Sequence, residues 1–256
     1  MKKNPLKKIL SEKRQTYGSW ITIPHPLIPE ILAPAGFDWL VVDMEHSSIE
    51  LRDLLTLIIS IEANNMVPLV RVGENNPNLI KRVMDTGAYG VIVPNVCNKG
   101  DAESAVNSVK YPPIGTRGIG LYRAQGFGRN FEAYKKWVAE ESIVIVQIEH
   151  IDAVNNIDEI FSTPGIDAFM IGPYDLSGSL GKPGDFETPE VKEALEKVMD
   201  AALRHNIPAG FHSVSSDPED ARKRCEQGYQ FLAFSLDSIF LGDAVCCAMS
   251  ELKGGK

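Results

Sequence analysis

The chain has 256 residues and a formal net charge of −8, with a sequence pI near 5.2; it is long enough to bury most of its unfolded surface as one domain and too acidic for the concentrated basic face of a nucleic-acid groove. Cys97, Cys225, Cys246 and Cys247 form no CxxC pair, and sequence neighbours seldom bridge each other, so reduced thiols in a cytoplasm are expected. No apolar run approaches a membrane span, and the basic start MKKNPLKKILSEKRQ is interrupted at Ser11, Glu12 and Lys13, so it lacks a signal-peptide core.

Short runs rich in Val, Ile and Leu recur along the chain, as expected of parallel strands buried on both faces. They lie at about Gly18–Ile23, Asp38–Asp43, Val67–Val72, Gly90–Pro94, Ser142–Glu149, Asp167–Ile171, Ile207–Phe211 and Phe231–Ser235. Helical patterns separate them: Asn76–Thr86 opens on Asn-Pro, and Pro189–His205 repeats apolar residues at helical spacing. Eight strands alternating with helices predict a single α/β domain over 1–256, a closed (β/α)8 TIM barrel. Pro and Gly break the stretch Lys110–Arg129, and an irregular loop this long predicts an active-site or interface role. Its glycine cluster GTRGIG follows Pro112-Pro113 instead of a strand and opens no helix, which speaks against a dinucleotide turn.

Active sites of this fold sit at the C-terminal ends of the strands, so the residues there are the candidates. The second strand delivers Asp43, Glu45 and His46, and the third Arg71. The fifth brings Gln147 and Glu149, the sixth Gly172, Pro173, Tyr174 and Asp175, the seventh His212 and the eighth Asp237. Glu149 and Asp175 end successive strands one βαβ unit apart, so both carboxylates emerge on one side of the sheet. Acids at strand ends also cap the helices that follow. As a pair with open positions, they suit a hard divalent cation that must also hold substrate. No lysine falls within the eight strands, which disfavours Schiff-base chemistry. The turns after the seventh and eighth strands, GFHSVSS and AFSLDS, lack the glycines of a phosphate site.

The motifs DWLVVDMEHSSIE, PLVRVGENNPNLIKRVMDTGAYGVIVPNV, KYPPIGTRGIG, IVIVQIEH and GIDAFMIGPYDLSGSLG resemble, in order, those of the HpcH/HpaI family of class II pyruvate aldolases. The resemblance implies a metal-dependent lyase that cleaves a 2-keto-3-deoxy (4-hydroxy-2-oxo) acid into pyruvate and an aldehyde. It implies that Glu149 and Asp175 bind Mg²⁺, Mn²⁺ or Co²⁺ and that Arg71 faces the keto oxygen. Asp43 and His46 correspond to an acid/base dyad in which the carboxylate orients the imidazole. The backbone from Gly172 and Pro173 through Tyr174 to Asp175 corresponds to the turn that meets the pyruvate carboxylate. Gln147 supports the substrate or the metal's water, with Glu45 and His212 behind these groups. A homohexamer that exchanges its C-terminal helix is a further implication, and the apolar run Ile239–Met249 is compatible with it. Met44, His150, His212 and LYRAQGFGRN depart from the family pattern and leave the aldehyde half open. The alternatives are an oxaloacetate-decarboxylating enolate former of the same family and a non-catalytic binding barrel.

Overall fold

The computed structural model describes residues 1–254. Eight parallel strands close into a barrel in sequential order: β1 (Thr16–Ile21), β2 (Trp39–Asp43), β3 (Val67–Arg71), β4 (Gly90–Val93), β5 (Ile143–Ile148), β6 (Ala168–Ile171), β7 (Ala209–Ser213) and β8 (Phe231–Leu236). All eight expected strands are present, with ends within about two residues of those expected. The helix expected at Asn76–Thr86 runs Pro77–Thr86, with the Asn76 side chain accepting from the Asn78 and Leu79 N–H groups and Gly87 left-handed at its end. The helix Pro189–His205 is as expected. Among the described residues no helix is long and apolar enough to cross a membrane, and all four cysteines are free.

Strand side chains alternate between two cores, as the period of two requires. Leu40, Val42, Val70, Val91, Val144, Val146 and Phe169 pack outward against the helices. Trp39, Val41, Val67, Leu69, Ile92, Ile143, Ile145, Ala168 and Met170 fill the barrel interior. Gly18 belongs to this interior because a Cβ there would stand 2.1 Å from the Trp39 ring. Below them, the helix Pro5–Ser11, capped by Asn4, inserts Leu6 and Leu10 into the interior cluster. The basic N-terminal segment is therefore a plug for the lower end of the barrel.

The loop 110–130 runs along this lower end, not at the mouth of its own barrel, which corrects the active-site half of the expectation. Arg117 pairs with Asp85 at 2.5 Å. Arg123 pairs with Glu62 and donates to the Thr86 carbonyl. Both anchors sit at helix ends that lead into strands, so the loop is held far from the C-terminal ends of the strands. The irregularity was visible in Pro and Gly; the direction of the loop was not. The C-terminal helix Asp237–Leu252 leaves the barrel almost at once. Asp237 is its sole buried residue, and the carboxylate ties that end to β1 by accepting from the Thr22 and Ile23 N–H groups.

Buried Lys110 closes one lower corner. Its ammonium donates to the carbonyls of Val138 (2.9 Å) and Ser142 (3.1 Å) and to the Ser142 hydroxyl (2.8 Å), which satisfies the end of the helix Phe131–Glu141. Lys110→Met keeps the volume but strands those buried acceptors, and is expected to lower unfolding stability by about 1–3 kcal/mol. Urea denaturation of the two proteins measures the difference directly.

Candidate active site

The parity that fills the barrel interior with hydrocarbon also determines what stands at its mouth. Continuing the inward series one step along β2 gives Asp43, along β3 Arg71, and along β5 Gln147 and then Glu149. Asp43 and Arg71 are register partners on adjacent strands. Their side chains meet in a two-pronged ion pair, Arg71 Nε to Asp43 Oδ1 at 2.9 Å and Nη2 to Oδ2 at 2.6 Å. The guanidinium lies over Trp20, 4.3 Å from the ring centroid, and its Nη1 is 3.3 Å from Glu45 Oε2. Burial alone would raise the Asp43 pKa, but the hydrogen bonds and charge of Arg71 outweigh it and hold the carboxyl below its ordinary range.

This pairing overturns the expected dyad. Asp43 does not orient the His46 imidazole: its Oδ1 accepts from the backbone N–H groups of Glu45 (3.0 Å) and His46 (3.3 Å), and its remaining capacity goes to Arg71. The His46 side chain is 63% exposed, and its Nε2 is 3.8 Å from Glu45 Oε2. Arg71 is planar and five-fold donating, whereas a single imidazole N–H offers one bond. The buried carboxylate therefore goes to the stronger partner.

Glu149 is also buried. Its Oε1 accepts from the Asn95 N–H at 2.7 Å, and Oε2 accepts from the Gln147 amide. Burial lifts its pKa against those two hydrogen bonds, and the neighbouring Asp175 adds to the rise. Glu45 is pushed up to about 7, by burial first, with Arg71 opposing and the charges of Glu149, Asp43 and Asp175 adding. Gly172 is required where β6 meets this group, because a Cβ there would come within 2.8 Å of both Glu149 Cβ and Oε2. Asp175 follows in the first turn of the short helix Pro173–Ser179.

Four carboxylates thus surround one guanidinium. Glu45 Oε2, ion-paired with Arg71 but without an aligned hydrogen bond, and Gln147 Oε1 are buried oxygens left short of donors. Oxygen donors in surplus, with unmet acceptors among them, fit a divalent cation. Among the described residues no group of three or more His, Cys, Asp or Glu side chains is arranged to hold a metal by itself. Glu149 and Asp175 would leave the other positions of such an ion to water and substrate oxygens.

Two cavities open here. One, of about 310 Å³, is lined by Trp20, His46, Arg71, Gln147, Asp175 and His212, with the turn Gly172–Tyr174. The other, of about 380 Å³, lies beyond His46 and Asp175, which line both. The structure therefore brings Asp43, Glu45, His46, Arg71, Gln147, Glu149, Asp175 and His212, with the turn Gly172–Tyr174, to one mouth, whereas Asp237 lines neither cavity and its carboxylate is taken up by the Thr22 and Ile23 N–H groups. Sequence reading missed Trp20, an aromatic in an apolar run with nothing to mark it; it put Asn95 at the end of the fourth strand but not its part in the site, a backbone N–H given to Glu149 from a left-handed conformation (φ 54°). His212 stacks obliquely on Trp20 at 5.0 Å, and its Nε2 is 3.2 Å from the Ser235 carbonyl. Burial lowers its pKa to about 4, with the Ser235 hydrogen bond and Asp43 opposing and Arg71 adding. His212 is therefore a neutral support at physiological pH.

Residues 16–244 match the family model described as HpcH/HpaI aldolase/citrate lyase. A 5-keto-4-deoxy-D-glucarate aldolase of Escherichia coli O139:H28 (strain E24377A) is 35% identical over 236 residues, 91% of each chain. Among solved structures, an HpcH/HpaI aldolase/citrate lyase family protein from Burkholderia cenocepacia J2315 superposes with a TM-score of 0.93 at 34% identity, covering 98% of this chain and 100% of that one. The citrate synthase SbnG gives 0.84 at 30% identity, covering 98% and 99%.

The depressed pKa of His212 sets a pH signature. Between its folded pKa near 4 and the ordinary value of about 6.5 the unfolded chain binds the extra proton, so stability falls as pH drops through that window. His212→Gln removes this loss. The melting-temperature gap between wild type and variant is expected to narrow from pH 7 to pH 4.5, and a constant gap would show that folded His212 titrates normally.

Proposed function

Because the chain belongs to the HpcH/HpaI aldolase/citrate lyase family, we propose that it is a metal-dependent class II aldolase that reversibly cleaves a 4-hydroxy-2-oxo acid into pyruvate and an aldehyde. The observation that carries this reading is the surplus of carboxylates, Asp43, Glu45, Glu149 and Asp175, around the single guanidinium of Arg71. Such a site is short of positive charge until a cation and an anionic substrate enter together.

Glu149 and Asp175 would hold the divalent ion, Mg²⁺, Mn²⁺ or Co²⁺, which when bound acts as a Lewis acid toward the charge of a pyruvate enolate. Arg71, fixed by Asp43 from one side and Trp20 from below, donates to the keto oxygen as it becomes negative, without reorganising. The pyruvate carboxylate is received by the N–H groups of Tyr174 and Asp175 in the turn after Gly172 and Pro173, which have no acceptor within their helix. Gln147 keeps Glu149 in place through its amide. His46, at the junction of the two cavities, takes the proton from the 4-hydroxyl in cleavage and returns it in synthesis. Glu45 is the carboxylate nearest to it.

A second reading has its own support. The similarity to a citrate synthase supports carbon–carbon bond formation as the working direction; in this reading an enzyme of the same family forms the same enolate by decarboxylating oxaloacetate and joins it to a different acceptor, so the electrophile distinguishes the two. A non-catalytic binding barrel does not call for a fixed arginine and four carboxylates at one mouth. We propose further that the protein is a cytoplasmic homohexamer which exchanges its C-terminal helix, since Leu241, Val245, Met249 and Leu252 of that helix are exposed on the single chain.

Exchange of the pyruvate methyl protons with deuterium, followed by proton NMR, tests the enolate half. The wild type with Mg²⁺ or Mn²⁺ is expected to exchange, to fall silent in EDTA and to recover when metal is restored. Glu149→Ala and Asp175→Ala should lose metal binding and exchange together while remaining folded. Full exchange in metal-free protein would overturn the assignment. Arg71→Lys should fold and retain metal but lose exchange by about 10²-fold or more, because an ammonium does not reproduce the paired, stacked guanidinium. His46→Ala should lose cleavage by about 10²- to 10⁴-fold with pyruvate affinity little changed.

A further inference from the structure

A third cavity, of about 450 Å³, lies outside the barrel, where the helices Pro189–His205 and Pro218–Glu226 flank β7. It adjoins the mouth only through Pro173, which lines both. Phe186, Leu195, Met199 and Phe211 give it apolar walls. Arg224 lies over one of them, with its guanidinium 4.3 Å from the Phe211 ring centroid. A guanidinium has five N–H bonds, and this one spends a single bond, from Nη1 to Gln227 Oε1 at 3.1 Å. Its Nη2 is 3.8 Å from Asp220 Oδ1, and its Nε has no acceptor. Tyr229, which lines the same cavity, is 3% exposed, yet its hydroxyl makes no hydrogen bond among the described residues. Burial pushes its pKa up to about 12, with the charge of Arg224 opposing, so the hydroxyl keeps its proton. Two neighbouring donors thus face one cavity without acceptors.

The other helix carries the opposite charge. Lys192, Glu196 and Asp200 follow one another at single turns along Pro189–His205 and line the cavity. Lys192 is taken by Glu187 at 2.7 Å, whereas Glu196 and Asp200 pair with no cation among the described residues. We infer that this cavity binds an α-amino acid with a large apolar side chain. The carboxylate accepts from Arg224 and Tyr229, the ammonium group donates to Glu196 or Asp200, and the side chain covers Phe186, Leu195 and Met199. An apolar acid meets the guanidinium but gains nothing from the two carboxylates, and an apolar amine leaves the buried donors unmet. Only a ligand carrying both charges beside an apolar body answers every group. Arg71, Glu149 and Asp175 take no part, so the site is separate from the groups that hold metal and pyruvate.

Equilibrium dialysis of tritiated L-phenylalanine tests the site and needs no turnover. The competitors are 3-phenylpropionate, which lacks the ammonium group, and phenethylamine, which lacks the carboxylate. Each is expected to bind the wild type about tenfold more weakly than phenylalanine. Arg224→Met keeps an apolar stem over Phe211 but withdraws the N–H groups; it should weaken phenylalanine about tenfold and erase its advantage over phenethylamine. Glu196→Gln with Asp200→Asn, at exposed helix positions, should erase the advantage over 3-phenylpropionate without endangering the fold. Arg71→Lys should retain phenylalanine at wild-type affinity. No retention by the wild type, affinity unmoved in Arg224→Met, or an unchanged preference over 3-phenylpropionate in the double variant overturns the inference. Loss in Arg71→Lys overturns it as well, because the amino acid then sits at the mouth.

Discussion

The two-pronged bond between Asp43 and Arg71 organises the mouth of the barrel. It joins β2 to β3 at their last paired residues, so the closure of the sheet and the geometry of the site are one constraint. Two largely buried charges incur a desolvation penalty that only good geometry and further hydrogen bonds recover. Here the remaining capacity of Asp43 is filled by two backbone N–H groups, and the open face of the guanidinium rests on Trp20. Removing either partner leaves an uncompensated charge inside the barrel, which is far costlier than never having had the pair.

This bond also decides what its neighbours can be. With Asp43 committed to Arg71, His46 stays out at the boundary between the two cavities, free to meet whatever bridges them. With Arg71 spending three of its donors on Asp43 and the vicinity of Glu45, the other acids lack compensation, and burial lifts Glu149 and Glu45 toward protonation. The protein tolerates this because Asn95 and Gln147 bind Glu149 as neutral donors. They fix its position without satisfying its charge.

Much of this was legible from sequence, for definite reasons. Strands buried on both faces read as continuous apolar runs, so all eight emerged, and the rule of the C-terminal face directed attention to Asp43, Arg71, Glu149 and Asp175. Pairing was less legible. The family resemblance implied a dyad of Asp43 and His46, but which partner a buried carboxylate takes depends on cross-strand register, which a three-residue spacing in sequence does not encode. Trp20 escaped for a similar reason: an aromatic in a barrel strand is ordinarily packing, and its use beneath Arg71 is decided by the strands on either side. The loop 110–130 was recognisable as irregular, yet its anchors, Asp85 and Glu62, lie far off in sequence.

Trp20 has a consequence of a different kind. The chain has three tryptophans. Trp39 is stacked on Phe231 deep in the interior, and Trp137 is tied at the lower end to the Lys2 carbonyl. Trp20 alone borders the cavity at the mouth, with a cation on its face and its indole N–H unbonded. An anion that draws on Arg71 changes the electric field across that one ring and leaves the other two undisturbed. The molecule thus contains its own optical indicator: intrinsic emission reports occupancy of the mouth without a label, even for compounds that bind and never react.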